Sequence, residues 1–567
     1  MNRRSFLETT LKSSISEGTG SINLSDQPSP APGSLSGTFR TLSGIDPYSG
    51  PWGKSQVIHL LRRTTFAAKK ADIEKLSAMS PDAAVDLLLQ EPVDTPPPPV
   101  NHYNTDTYTD PTGVLPGETW IGAPWGDGMV DLKRVESLKC WWTGLMINQA
   151  PNLLEKMTLF WHNHFAVKAN SIDNARYAYY HNILLRQYAF GNFKELIRKV
   201  TTDPAMLRYL NGFANVNTAP DENYARELQE LFTLGKGSDS RYTEQDVKTA
   251  ARVLTGWKID SASQTSYFDP AMHDTGDKIF SEFYGNKVIT GKTGQEGAGE
   301  LDELLDMIFS QEEVSRFICR KLYSWFVYYQ IDQTTEENII APLAALFREQ
   351  NYEIKPVLSA LFKSTHFFDP LNVGCMIKNP VDFMMGMARQ FYIRFPDSVS
   401  YRDQYITWDY IRMQASEMQM DIAEPPNVAG WPAYWQAPLF HRIWVNSVTL
   451  PRRVRVGNVF IAPNGYQRLG TTIKIEPLEV AELFSDPSDP DLLISELTEY
   501  LYAIPVSDNQ KSELKELLLM GQDTIYWSDA WNGYKANPAD EHHREFLENS
   551  LRSLLKYMME LPEFQLC

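Results

Sequence analysis

The sequence predicts a mainly α-helical protein, a large multi-helix globular chain with long Pro/Gly/Trp-rich loops and little strand. Three observations carry this. Apolar residues recur at helical spacing through most of the chain from about residue 130 onward. Strand-type alternation is sparse, confined to "YQRLGTTIKI" and the region around 277–290. A hydrophobic content of 43% and an aromatic content of 12% support a packed core rather than a disordered chain.

Taken in order, residues 1–54 read as a basic tail and a Ser/Gly/Pro-rich arm ("SDQPSPAPGSLSG") unable to bury a core of its own. A main helical domain is expected over 55–455 and a C-terminal helical subdomain over 456–567, since 567 residues exceed what one core usually holds. The main domain opens at "SQVIHLLRRTTF", where Val57, Leu60 and Leu61 share a helix face. The next helix, "SPDAAVDLLLQ", has Ser80 to cap it and Pro81 at its first position. Further helices are expected at 133–149, 152–163, 172–190, 222–234, 243–256, 311–330, 379–393 and 402–418, among others. The C-terminal part adds 478–484, 490–503, 508–519 and 541–560.

Composition excludes several classes of function. Lys+Arg 53 against Asp+Glu 71 gives a net charge of −18, which disfavours non-specific nucleic-acid binding and adhesion to anionic lipid. No apolar run is long enough for a transmembrane helix. Four scattered cysteines without a CxxC pair exclude a zinc ribbon. The start "NRRSFLE" has the Arg-Arg-x-Phe-Leu arrangement of a twin-arginine export signal, but the polar "ETTLKSSISEGTGS" stands where an apolar segment should follow. A periplasmic or secreted location is expected from that start, with a cytoplasmic protein carrying a basic tail as the alternative. Cleavage of the tail is expected to be inefficient or absent.

Four stretches concentrate chemistry. In "LFWHNHF", His162 and His164 would diverge if the preceding helix ran through both. They would point the same way if the chain became extended at 162, and could then share a divalent metal; the alternative is that both rings, flanked by Trp161 and Phe165, are buried and hydrogen-bonded. In "TAPDENYARELQELFTLGKG", Thr218 can cap, Gly235 suits the helix end, and Tyr224, Leu228, Leu231 and Phe232 make a buried stripe. Glu222, Arg226 and Glu230 form a second stripe at i, i+4, i+8, either a salt-bridged surface or, with Glu227, carboxylates turned into a cleft. The loop "YFDPAMHDTGDKIF" holds His273, Asp274, Asp277 and Lys278. Finally, Trp431, Trp435 and Trp444 of "AEPPNVAGWPAYWQ" and its continuation are able to line a carbohydrate- or peptide-sized groove or simply to pack.

These stretches, together with "VIHLLRRTTF", "DPAMLRYLNG", "YTEQDVKTAARVLTGW" and "FICRKLYSWFV", in this order, resemble the domain-of-unknown-function 1800 family over about 55–566. The resemblance implies a bacterial, helical, often exported protein of no established activity. It also implies a frequent neighbour, a domain-of-unknown-function 1501 protein similar to sulfatases. Where the family often reads His in "LELHTLG", this chain has Phe232. On the residues themselves, the expected metal shell is His162, His164, His273 and Glu227, with Glu227, Glu230 and Arg226 as catalytic groups and Asp274 behind them. The reaction class that fits such a shell is metal-assisted hydrolysis by a divalent ion of unknown identity. The alternative is a non-catalytic binding or structural partner of the sulfatase-like protein. Either way, His162 and His164 are expected to meet the 222–234 helix, with Glu227 or Glu230 within reach of at least one of them.

Overall fold

In the computed structural model, residues 43–91 and 95–567 are described. The twin-arginine-like start and nearly all of the Ser/Gly/Pro-rich arm lie outside them. Helices dominate, and among the described residues the only sheets are three two-stranded antiparallel hairpins. Two of these match the expected regions, Lys278–Ile279 with Val288–Ile289 and Tyr466–Arg468 with Thr471–Ile473. The third, Trp257–Asp260 with Thr265–Phe268, closes around a polar turn too short to carry a period of its own. The helix Thr524–Ala536 was likewise not expected; Asp523 caps it at Tyr526 N.

The long helix Gly128–Asn148 is the spine of the N-terminal half. Asp127 starts it by accepting hydrogen bonds from Met129 N and Val130 N, both 2.9 Å. It packs against Tyr401–Glu417, and Gly144 makes the close approach possible. A Cβ there would fall 2.6 Å from the Trp408 ring. Ala175–Gln187 and Leu154–His164 complete this layer. The expected boundary between 455 and 456 falls inside the helix Thr449–Ile461, which packs on Glu541–Glu560. Buried apolar side chains from Val57 to Leu566 form one contiguous core. No helix among the described residues is long and apolar enough to cross a membrane.

Candidate functional site

The helix Leu154–His164 runs through both histidines of "LFWHNHF". At about 100° per residue, side chains two apart leave a helix on nearly opposite sides, so the two imidazoles diverge. His162 points inward, edge-on to Trp142 (ring centroids 5.3 Å apart), beside Trp431 at 5.8 Å and His181 at 6.5 Å. His181 is itself held by Asp203, 2.7 Å from Nδ1, and by the Phe165 carbonyl, 3.2 Å from Nε2. Burial, with the neighbouring His181 and Lys139, pushes His162 down to about 3, so it is a neutral ring in the core.

His164 faces the other way. Its Nε2–H donates to the Phe232 carbonyl oxygen at 3.1 Å, which leaves the Nδ1 lone pair free, buried and without a partner. Burial, and then the charge of Lys321, holds this imidazole well below its ordinary value. The 222–234 segment is therefore met by His164, through a backbone carbonyl. Among the described residues no hydrogen bond or ion pair joins either imidazole to Glu227 or Glu230, contrary to the expected carboxylate pairing.

That segment begins as a helix at Asn223–Glu227, later than a Thr218 cap requires, and continues as a π-helix over Leu228–Thr233. Thr233 Oγ1 donates to the Leu228 carbonyl, the i−5 oxygen, at 2.5 Å, and Gly235 ends the turn at φ +77°. Tyr224, Leu228 and Phe232 are buried as the stripe predicts, and Leu231 is partly buried. Arg226 reaches Glu244 at 2.8 Å, Glu222 at 3.0 Å and Glu230 at 3.6 Å, and Lys236 also pairs with Glu230. This is the salt-bridged surface of the two readings. Glu227 stays half-buried, its carboxyl pushed up by burial and by Glu230.

His273 is occupied elsewhere. Its Nδ1 lies 2.9 Å from the Thr255 carbonyl and its Nε2 3.1 Å from Glu300 Oε1, whose second oxygen binds Lys278 Nζ at 2.6 Å. Burial would raise the Glu300 carboxyl, but His273, Lys278 and the Lys292 N–H (2.7 Å) hold it below its ordinary value. Asp274 is clasped by Arg252 at 2.7 and 3.0 Å. Among the described residues no three His, Cys, Asp or Glu side chains gather closely enough to hold a metal ion. The expected shell of His162, His164, His273 and Glu227 is thus not assembled in this arrangement, because its histidines belong to three separate environments.

A different cavity does bring three of the motif stretches together. It has a volume of about 220 Å³ and lies between Leu154–His164, the helix Glu312–Phe326 and the loop 427–436. Asn163 and His164 come from the first, Lys321 and Trp325 from the second, Tyr434 and Trp435 from the third. The loop is locked to the first helix by Trp431 N–H donating to Asn163 Oδ1 at 2.8 Å. Only glycine fits at 430, where φ is +80° and a Cβ would lie 2.3 Å from the Asn163 carbonyl oxygen. Trp325 stacks on Tyr434 at 4.1 Å and meets Phe160 edge-on at 5.5 Å, so the aromatic wall is rigid. Trp431 and Trp444 are packed in the core, whereas Trp435 is 46% exposed at the cavity.

Lys321 is the unusual group. No carboxylate lines the cavity, and among the described residues Lys321 makes no ion pair or hydrogen bond, only a contact over the Phe317 ring at 4.9 Å. The residue is partly buried, and the packing around its ammonium pushes it down to about 8. Its neighbour Arg320 is neutralised by Glu313 (2.5 Å) and Glu336 (2.8 Å). No motif spacing in "FICRKLYSWFV" marks Lys321. The available signal was a lysine in line with Phe317 and Trp325 at i−4 and i+4, an apolar face where a cation is out of place.

With this geometry in hand, comparison with known proteins gives one result. The family described as "Protein of unknown function (DUF1800)" matches residues 59–566. The chain belongs to that family. No curated protein and no solved structure matches it. The DUF1800 match spans every motif that builds the cavity.

Proposed function

We propose that this DUF1800 protein works through the cavity between His164, Lys321 and Trp435, as a binding site for a small flat organic molecule bearing an acceptor group such as a carboxylate. The observation that supports it is an unpaired cation in a carboxylate-free, aromatic-walled cavity, in a chain whose net charge is −18. A buried or half-buried charge is ordinarily matched by a partner, and here the partner is left for a ligand to supply. The flat faces of Trp325, Tyr434 and Trp435 suit a planar guest, Lys321 its acceptor, and the His164 lone pair a donor. Benzoate is the simplest probe. It is expected to quench tryptophan fluorescence saturably in the native protein and to lose that effect in Lys321→Met. Identical titrations of the two proteins would sink the reading.

Metal-assisted hydrolysis has less support, since His162 and His164 leave opposite sides of one helix and His273 is committed to Glu300. Stoichiometric divalent metal in the purified protein, measured by elemental analysis, would restore it. The exported partner of a sulfatase-like DUF1501 protein is a compatible reading. Trp435 and Leu439, 46% and 48% exposed, are apolar surface beside the cavity loop that such a protein could cover.

A further inference from the structure

We infer that the Lys321 amine is a nucleophile that condenses with an aldehyde or ketone held against the aromatic wall, forming an imine, with His164 Nδ1 moving the protons. This rests on the cavity being a ligand site. It adds the class of reaction and the class of substrate, a planar carbonyl compound.

Three features of the geometry lead there. The amine has no acceptor to hold its proton, because the cavity lining contains no Asp or Glu. The charged and titratable groups facing it are few: His164 from Leu154–His164, Tyr434 from the loop, and Arg320 on its own helix, already bound by Glu313 and Glu336. Packing among Phe317, Trp325 and Tyr434 takes the ammonium out of water, a cost that its contact over the Phe317 ring offsets only in part. The depressed value of about 8 agrees with this but is not needed to argue it. Beside the amine stands an imidazole whose tautomer is fixed by the Phe232 carbonyl and whose free nitrogen has no protein partner.

The step balances without a further reagent. The Nζ lone pair attacks the carbonyl carbon while the C=O π pair moves to oxygen. His164 Nδ1 relays the two amine protons in turn to the oxygen, the first as the carbinolamine forms and the second as the C=N bond forms and the oxygen leaves as water. Amine and carbonyl become imine and water, and no electrons are exchanged with a cofactor.

The test uses the full-length protein with 4-formylbenzoate and borohydride, followed by peptide mass spectrometry, alongside the benzoate titration. A reduced adduct is expected on Lys321 at about tenfold or more above any surface lysine, given its larger neutral fraction. Its rate should rise with pH to a plateau with a midpoint near 8. Lys321→Arg keeps the charge but removes the nucleophilic amine, so it should form no adduct at 321. His164→Gln should slow trapping at Lys321. Binding of benzoate with adducts spread over surface lysines would overturn the imine and leave the ligand site standing. No binding of either compound would overturn both.

Discussion

Two polar clusters on equally prominent motifs are built in opposite ways. Around Glu300 the charges are answered: Lys278 Nζ binds one oxygen, His273 Nε2 lies 3.1 Å from the other, and Lys292 N–H adds a donor. Beside Lys321, Arg320 is paired with Glu313 and Glu336, no carboxylate lines the cavity, and the amine faces aromatic rings and an imidazole with a free nitrogen. The difference teaches where to look for function in a chain crowded with His, Asp and Glu motifs. A saturated cluster holds the fold together, and an unsaturated one is waiting for something from outside.

The largest expected effect breaks the saturated cluster. Glu300→Ala strands a fully buried ammonium and an imidazole, and removing one member of such a set costs roughly 3–5 kcal/mol. Denaturant unfolding followed by tryptophan fluorescence should show a loss of that order, or no soluble protein at all. A loss below about 1 kcal/mol would mean that Lys278 and His273 find water, and the contrast between the two clusters would collapse.

Acid should act next, through the core imidazoles. His59 and His162 are pushed down to about 3, chiefly by burial, and His164 lies well below its ordinary value. Between that low range and an unfolded value near 6.5, the unfolded chain binds more protons than the folded one. Stability is therefore fully present above about pH 6.5 and lost as pH falls below it, by up to roughly 1.4 kcal/mol per pH unit for each such histidine. His162→Phe should flatten this slope by about one histidine's share. An unchanged slope would show that His162 is protonated in the fold.

Lys321→Met should move stability the other way. It removes a partly buried cation that has no ion pair or hydrogen bond among the described residues, so the expected change is a gain of about 1 kcal/mol, with ligand binding lost. The sign follows from the lowered value of about 8. The penalty of holding Lys321 charged is fully present below pH 8 and disappears as pH rises toward its unfolded value of about 10.4, so the advantage of the variant should shrink over that window. A destabilised variant would mean that Lys321 is satisfied in solution, and the cavity would lose its claim.

Much of this was legible in the sequence. The helices followed from apolar spacing, and the Glu222–Arg226–Glu230 stripe appears as ion pairs at the expected i, i+4 steps. The divergence of His162 and His164 was readable only as a condition, because no residue in "LFWHNHF" says whether the helix stops before 164. The π-turn over Leu228–Thr233 was not legible, since a one-residue shift in hydrogen bonding leaves the apolar stripe intact. Lys321 was hidden for a deeper reason. Being unpaired is a property of three dimensions: Glu313 and Glu336 are close in sequence, and only the fold assigns both to Arg320.

The smallest effect belongs to the third polar region, the Arg226 network, which tests whether saturation alone makes a cluster matter. Arg226 is as fully answered as Lys278, by Glu222, Glu230 and Glu244, yet Glu244 is exposed and Arg226 only partly covered. Water can replace each of these contacts, so Arg226→Ala should shift the melting temperature far less than Glu300→Ala. The residual shift should shrink further in high salt, where exposed charges are screened. Glu227 gives the control on the same helix. Its carboxyl is pushed up by burial and by Glu230, and removing the Arg226 charge should raise it further. Should Arg226→Ala prove as damaging as Glu300→Ala, the network would be a structural keystone rather than a solvated surface. The distinction drawn between burial and mere pairing would then fail at the place where the sequence pattern was clearest.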